Sequence, residues 1–256
     1  MRVTGKVCVI TGGASGIGKA LAERFHAEGA KGIVVADLQE DKLKEVADSV
    51  NGLAVVTNVA READIQALVA AAEEKYGHID VFVSNAGIAR MGGVDTSDAD
   101  WQLNWDIHVM AHVYAARAVA EKMAVRGEGY LINTASAAGL LTHVNSATYS
   151  VTKHAAVSFA EWLSINYGDR GVHVSVLAPQ AVRTAMTSGR NVSVASVDGM
   201  IEPEELADCV IETMDKEEFL MIPHKQVAEY MRRKANDVDR WLSGMRRFQA
   251  KRPDST

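Results

Sequence analysis

Tyr149 and Lys153 stand four residues apart, and Ser136 lies thirteen residues before the tyrosine. Four residues is just over one helical turn, so on a helix the phenol and the ammonium share a face. A free tyrosine ionises near pH 10 and is a poor base at neutral pH, but a neighbouring cation favours its phenolate. Lowering that pKa by about 3 units takes about 4 kcal/mol, which a close, partly desolvated lysine is expected to supply in large part. A serine hydroxyl in the same pocket would hold the oxygen of an alcohol or carbonyl. Taken alone the spacing arises often on solvated helix faces, so its meaning depends on what surrounds it.

A second group of residues stands near the start of the chain. The apolar run Val7–Ile10 reads as a strand, and Thr11-Gly12-Gly13-Ala14-Ser15-Gly16-Ile17-Gly18 follows it directly. A helical pattern then begins with Ala20, Leu21 and Phe25. Glycines at a strand-to-helix turn let the backbone approach a pyrophosphate, which the helix N-terminus stabilises through free N–H groups and its dipole. The next apolar run, Ile33–Ala36, ends in Asp37, nineteen residues past Gly18. That is where a dinucleotide site places the acid that hydrogen-bonds the adenosine ribose. The glycine spacing differs from the general Gly-x-Gly-x-x-Gly pattern. Strand, turn, helix, second strand and terminal acid together nonetheless argue against an ordinary glycine-rich turn.

These groups need elements to carry them. Further apolar runs at 53–56, 81–83, 130–132, 172–177 and 219–222 predict strands, with helical stretches near 39–50, 61–76, 98–125, 146–168 and 203–214. Strands apolar throughout and separated by helices predict a parallel sheet covered on both faces. No Pro- or Gly-rich linker divides the 256 residues, so a single domain over 1–256 is expected. Residues 185–202 are small, polar and weakly patterned, which predicts a substrate lid after the sixth strand. A C-terminal helical extension is expected over about 224–250. Within it one amphipathic helix from Val227 to Phe248 would carry a stripe of Met231, Ala235, Val238, Leu242 and Met245. Its six basic residues are read as the solvated face of a helix packed on the body or on a second subunit.

Bulk properties narrow the classes. Apolar residues are 48% and charged residues 23%, ordinary for a globular chain with a full core. The formal charge of −6 argues against nucleic acid or an acidic membrane as partner. Cys8 and Cys209 suggest no disulfide framework, and no apolar run is long enough for a membrane span or a signal peptide. The expected location is the cytoplasm.

Together these residues resemble the short-chain dehydrogenase/reductase family over about residues 5 to 223. The resemblance rests on Thr11-Gly12-x-x-x-Gly16-x-Gly18, Asn85-Ala86-Gly87, Ser136, Tyr149-x-x-x-Lys153, and Pro179 followed by Val182 and Thr184. It implies a Rossmann-like, doubly wound α/β fold with a seven-stranded parallel sheet flanked by helices, usually in dimers or tetramers. It also implies hydride transfer between a nicotinamide cofactor and an alcohol or ketone. By the same resemblance Tyr149 is the acid/base, Lys153 lowers its pKa and binds the nicotinamide ribose, and Ser136 positions the substrate oxygen. Gly12, Ser15, Gly16, Ile17 and Gly18 would line the pyrophosphate, and Asn58 and Val59 the adenine. Asn85, Ala86 and Gly87 would border the adenosine half, with Pro179, Val182 and Thr184 near the carboxamide. Asp37 resembles the acid of NAD-preferring members, and neither Ser15 nor Leu38 is the basic residue that NADP-using relatives often carry. NAD is therefore the expected cofactor.

Three departures from the family pattern matter. His108 stands where the family commonly has an asparagine that helps hold a proton-relay water, so it is a candidate fourth catalytic residue. Asn58 replaces an acid at the adenine contact. Gln180 replaces the glycine that usually follows the proline, and with Ala138, His143 and Met186 it is a candidate substrate contact. His108 and His112 also form an i, i+4 pair, but Val109 stands where a zinc-protease helix has glutamate, and no metal is expected. Ala137–Leu141 and Met186 suggest an apolar pocket suited to a secondary alcohol or ketone on a hydrophobic skeleton. The alternatives are a catalytically impaired nucleotide-binding sensor or scaffold, and an NADP-linked carbonyl reductase.

Overall fold

A computed structural model of the chain describes residues 1–188 and 194–251. Seven parallel strands form one sheet in the order β3-β2-β1-β4-β5-β6-β7. They are β1 (Val7–Thr11), β2 (Gly32–Asp37), β3 (Leu53–Val56), β4 (Val81–Ser84), β5 (Gly129–Thr134), β6 (Val172–Leu177) and β7 (Leu220–Met221). The direction of winding reverses between β1 and β4, which pair from Cys8↔Val81 to Ile10↔Val83. A crevice opens at such a reversal, outside the C-terminal ends of the strands. The expected fold is the observed one.

Burial on both faces explains why these strands read as unbroken apolar runs. Ile10, Ile33, Val35, Val83 and Ile132 pack toward α1 (Gly16–Ala27), α2 (Glu40–Ser49) and α8 (Pro203–Lys216). Val9, Val34, Phe82 and Leu131 pack toward the opposite layer. That layer holds α3 (Glu62–Tyr76), α5 (Ala111–Arg126) and α7 (Ala147–Tyr167). Neighbouring residues of a strand thus enter different cores, as the two-residue period requires.

Two predicted helices are divided. The stretch 98–125 is α4 (Asp98–Trp105), a π-helical turn at Asp106–Met110, and α5. His108 lies within the wide turn, the kind of interruption that often marks a functional site. The supposed C-terminal helix breaks at Asp237, giving α9 (Gln226–Asn236) and α10 (Val238–Ala250). Asp237 is extended (φ −157°), and its carboxylate accepts from the Arg240 N–H, so its preference for capping overrides continuous helix. The predicted stripe is interrupted with it: Ala235, Val238 and Leu242 are exposed, Met245 is half-buried, and Val227, Tyr230, Met231 and Trp241 pack on Ala137 and Leu141. A short helix, α6 (Ala138–Leu141), has no counterpart in the sequence reading.

Candidate active site

The glycine turn joins β1 to α1 by close backbone approach. A Cβ on Gly18 would overlap the Gly12 carbonyl, and one on Gly12 (φ +67°) would lie 2.9 Å from the Ala86 Cα. Gly18 thus works by packing under the turn, while Gly12, Ser15, Gly16 and Ile17 line a cavity of about 390 Å³. At the end of β2, Asp37 accepts from the N–H groups of Ala14, Leu38 and Gln39 at 3.2, 2.7 and 3.1 Å. Its carboxylate is therefore fixed at the cavity edge, beside Leu38, Asn58 and Val59. A crowded glycine cradle at a helix N-terminus, with an acid at its far end, fits a dinucleotide.

Asn85, Ala86 and Gly87 line the same cavity, but the Asn85 side chain serves the fold. Its Nδ2 donates to the Thr11 carbonyl at 3.0 Å, and its Oδ1 accepts from Thr134 Oγ1 at 3.3 Å. Thr11 Oγ1 in turn accepts from the N–H groups of Asn85 and Ala86 at 3.0 and 3.1 Å. These bonds tie the ends of β1, β4 and β5 together where the crevice opens.

Ser136 leaves β5 and Tyr149 enters α7 on the other side of that crevice. Ser146 caps α7, its Oγ accepting from the Tyr149 N–H at 3.2 Å, which sets the tyrosine in the first turn. Ser136 Oγ donates to the Pro179 carbonyl at 3.3 Å and accepts from the Ala138 N–H at 3.1 Å. One turn into α7, buried Lys153 donates to the Thr134 carbonyl at 2.9 Å, with Nζ 5.6 Å from the centre of the Tyr149 ring. Burial without a counter-charge pulls the lysine down to about 7. Burial pushes Tyr149 above the usual phenol range, an effect that the neighbouring Ser136 hydroxyl opposes. In the protein alone the lysine nitrogen donates to a carbonyl, and its ammonium stands beside the phenol ring.

His108 is buried, and both ring nitrogens are occupied. Nε2 accepts from the Ile88 N–H at 3.1 Å, which leaves the proton on Nδ1, 3.1 Å from Thr152 Oγ1. The ring meets Tyr149 edge-on, with centroids 5.4 Å apart and planes at 88°. Burial, the Lys153 charge and His112 hold it well below the ordinary imidazole range, so it stays neutral. His108 lines the cavity, and its neutral ring with both nitrogens bonded ties Ile88 to α7.

Of the expected cofactor residues, Pro179, Val182 and Thr184 also reach the cavity, as do Tyr149 and Lys153. Thr184 touches the cradle, since a Cβ on Gly16 would lie 3.0 Å from its Cγ2. Of the expected substrate residues, His143, Gln180 and half-exposed Met186 line the cavity. Ala138 does not: it is buried, and only its N–H serves the site, through Ser136. Ile88, Ala89, Met91, Ile107 and Ala195 also line the cavity without having been picked out from the sequence. For Ile88–Met91 the signal was adjacency to Asn85-Ala86-Gly87, whereas Ile107 and Ala195 arrive through tertiary packing. The expected lid is described only in part, because residues 189–193 lie outside the described residues. Its flanks form short 3₁₀ turns at Ala185–Thr187 and Val194–Ser196, and Val182 pairs with Ile201 across its base.

Known proteins resemble this chain in sequence and fold. The family model described as short chain dehydrogenase matches residues 6–194. An uncharacterized oxidoreductase of Staphylococcus aureus is 32% identical over 215 residues, covering 82% of this chain and 90% of its own. Among solved structures, a short-chain dehydrogenase/reductase from Burkholderia phymatum in complex with NAD superposes with a TM-score of 0.85 at 28% identity, over 93% of this chain and 96% of that one. A short-chain dehydrogenase from Sphingobium yanoikuyae in complex with NADPH gives 0.79 at 25% identity, over 96% of each chain.

Proposed function

The chain belongs to the short-chain dehydrogenase family, and from that premise we propose that it transfers a hydride between NAD(H) and a secondary alcohol or ketone on a hydrophobic skeleton. One observation carries the reading: Ser136, Tyr149 and Lys153 line a single cavity whose other end holds Asp37. Bound NAD supplies the hydride acceptor in oxidation and the donor in reduction. Ser136 holds the substrate oxygen, and Tyr149 takes the alcohol proton as hydride leaves the carbon, or returns it in reduction. Lys153 sits where its charge would favour the phenolate and where its amine would meet the ribose. His108 acts here as a positioning residue behind Tyr149. NAD preference rests on Asp37, whose carboxylate would repel a 2′-phosphate, and on the uncharged Ser15 and Leu38.

Further readings follow from the same premise. The enzyme would act as a homo-oligomer, a dimer or tetramer, in the cytoplasm. Among the described residues no helix is long and apolar enough to cross a membrane. The rival NADP-linked reductase has support in the NADPH complex of the Sphingobium relative.

A panel of alcohols and ketones assayed with NAD and NADP separates these readings. Tyr149→Phe should lower kcat by 10³-fold or more, near the upper range for losing a general acid/base. Asp37→Ala should narrow the NAD-over-NADP ratio of kcat/KM by at least tenfold. Equal kcat/KM for the two nucleotides in the unmodified enzyme would overturn the NAD assignment, and NADH binding without turnover of any compound would favour a sensor.

A further inference from the structure

Two polar side chains at the substrate end of the cavity take no part in the proton and hydride steps. Gln180 lines the cavity next to Pro179, whose carbonyl receives Ser136. One end of its carboxamide, Oε1, is buried with no hydrogen-bond partner among the described residues. Native proteins keep few such orphans because each forfeits its bonds to water. The residue is also anchored: its N–H donates at 3.2 Å to Nδ1 of His224, which is only 3% exposed. A residue anchored by its backbone at a cavity wall, with its carboxamide oxygen unpaired, is ready for a donor that the chain itself does not supply.

His143 stands on the same cavity. Its Nδ1 accepts from the Asn145 N–H at 3.3 Å, so the proton rests on Nε2 and that nitrogen is a donor. Its backbone is fastened to Ser150, whose Oγ accepts from the His143 N–H at 2.8 Å and donates to the His143 carbonyl at 3.3 Å. Burial keeps the ring neutral.

The charges around the cavity sharpen what these groups would accept. Among the described lining residues Asp37 is the only carboxylate and Lys153 the only side chain that carries a full positive charge at neutral pH in the unfolded chain. Asp37 belongs to the adenosine end, and Lys153 is engaged with the Thr134 carbonyl. A carboxylate or phosphate on the substrate would lose water and find no counter-charge. An uncharged hydroxyl would find an N–H donor on His143 and, for its own proton, the acceptor Oε1 of Gln180.

We propose that His143 and Gln180 form a second subsite, for an uncharged hydroxyl that the substrate carries besides the reacting oxygen. The substrate class is a neutral diol or hydroxyketone on an apolar skeleton, not a hydroxy acid. This rests on the NAD-linked alcohol–ketone reading above. A site built to hydrogen-bond a substrate hydroxyl discriminates strongly against the analogue lacking it, because its own polar groups are then left unpaired.

The test compares cyclohexanol, the isomeric cyclohexanediols and the isomeric hydroxycyclohexanecarboxylates with NAD. The best diol should exceed cyclohexanol at least tenfold in kcat/KM, and every hydroxy acid should fall below that diol. Gln180→Gly should shrink the diol-to-cyclohexanol ratio about tenfold, and His143→Phe should shrink it in the same direction. A diol no better than cyclohexanol, a preferred hydroxy acid, or an unchanged ratio in both variants would overturn the subsite. So would a loss of NADH affinity in Gln180→Gly as large as the loss in kcat/KM, since the amide would then serve the nucleotide. If none of the alcohols turns over, calorimetry on the NADH-saturated protein decides, with hydroxycyclohexanones expected to bind at least tenfold tighter than cyclohexanone. NADH bound with no such difference removes the subsite alone, whereas failure to bind NADH removes the underlying reading and the subsite with it.

Discussion

The two ends of the cavity are constructed differently. At the nucleotide end the cradle is backbone, supplied by the consecutive residues between Thr11 and Gly18 and closed by Asp37 on the neighbouring strand. At the substrate end it is side chains, arriving from the segment after β4, the α6–α7 loop, the turn after β6 and the flanks of 189–193. The first is a local product of strand, turn and helix, so few residue types can build it and their spacing is constrained. The second depends on which distant loops pack together, so its chemistry changes with little effect on the fold. A family relationship therefore says much about the first end and little about the second.

Gly18 should break the nucleotide end most severely. Alanine there would drive a Cβ into the Gly12 carbonyl, a backbone atom that cannot swing aside. NADH affinity should fall about a hundredfold, and stability by about 3 kcal/mol through overpacking, seen as a drop of about 5–10 °C in Tm. Unchanged NADH binding in Gly18→Ala would mean that the turn is looser than its contacts indicate.

Legibility follows the same division. The sheet, the glycine turn, Asp37 and the Ser136–Tyr149–Lys153 trio were all readable, because each rests on an unbroken apolar run or a fixed spacing. The π-helical turn at His108 was not, since it leaves the apolar pattern of 98–125 almost unaltered. Asp237 was read through for a similar reason: its capping bond to Arg240 N–H outweighs a heptad-like stripe that looked continuous. Ala138 was placed in the substrate pocket from its neighbours, yet α6 turns its side chain into the core. Asn85 lines the cavity as its motif suggests, but the spacing gives no sign that its amide also braces three strands.

A smaller effect should separate the ends cleanly. Lys234 on α9 donates at 2.7 Å to the Leu140 carbonyl of α6, the short helix that follows Ser136. Lys234→Met keeps the aliphatic stem and deletes the bond, a loss of about 1 kcal/mol. The KM for alcohol should rise about fivefold while the Kd for NADH stays within twofold. Matching changes in both constants would show that α9 supports the whole cavity and that the two ends are not independent.

A third test lies away from the cavity lining, at His112 on α5. This ring is 2% exposed, and neither nitrogen has a hydrogen-bond partner among the described residues. Burial, and then the Lys153 charge, pull it down to about 3. The folded chain therefore refuses a proton that the unfolded chain takes up near pH 6.5. Where the unfolded state holds more protons, stability falls as pH falls, so His112 destabilises the fold progressively from about pH 6.5 toward 3 and contributes no charge penalty above that window. His112→Leu removes two unsatisfied nitrogens and should raise stability by about 1 kcal/mol at pH 7, or about 3 °C in Tm. At pH 5 the gain should widen by about 2 kcal/mol, because the variant has no imidazole to protonate on unfolding. Thermal melts at the two pH values measure that widening directly. A gain that is the same at both would mean that His112 is protonated or hydrated in the folded protein. A fall in kcat without a change in Tm would place this histidine in the proton path behind Lys153, joining the two ends through the core.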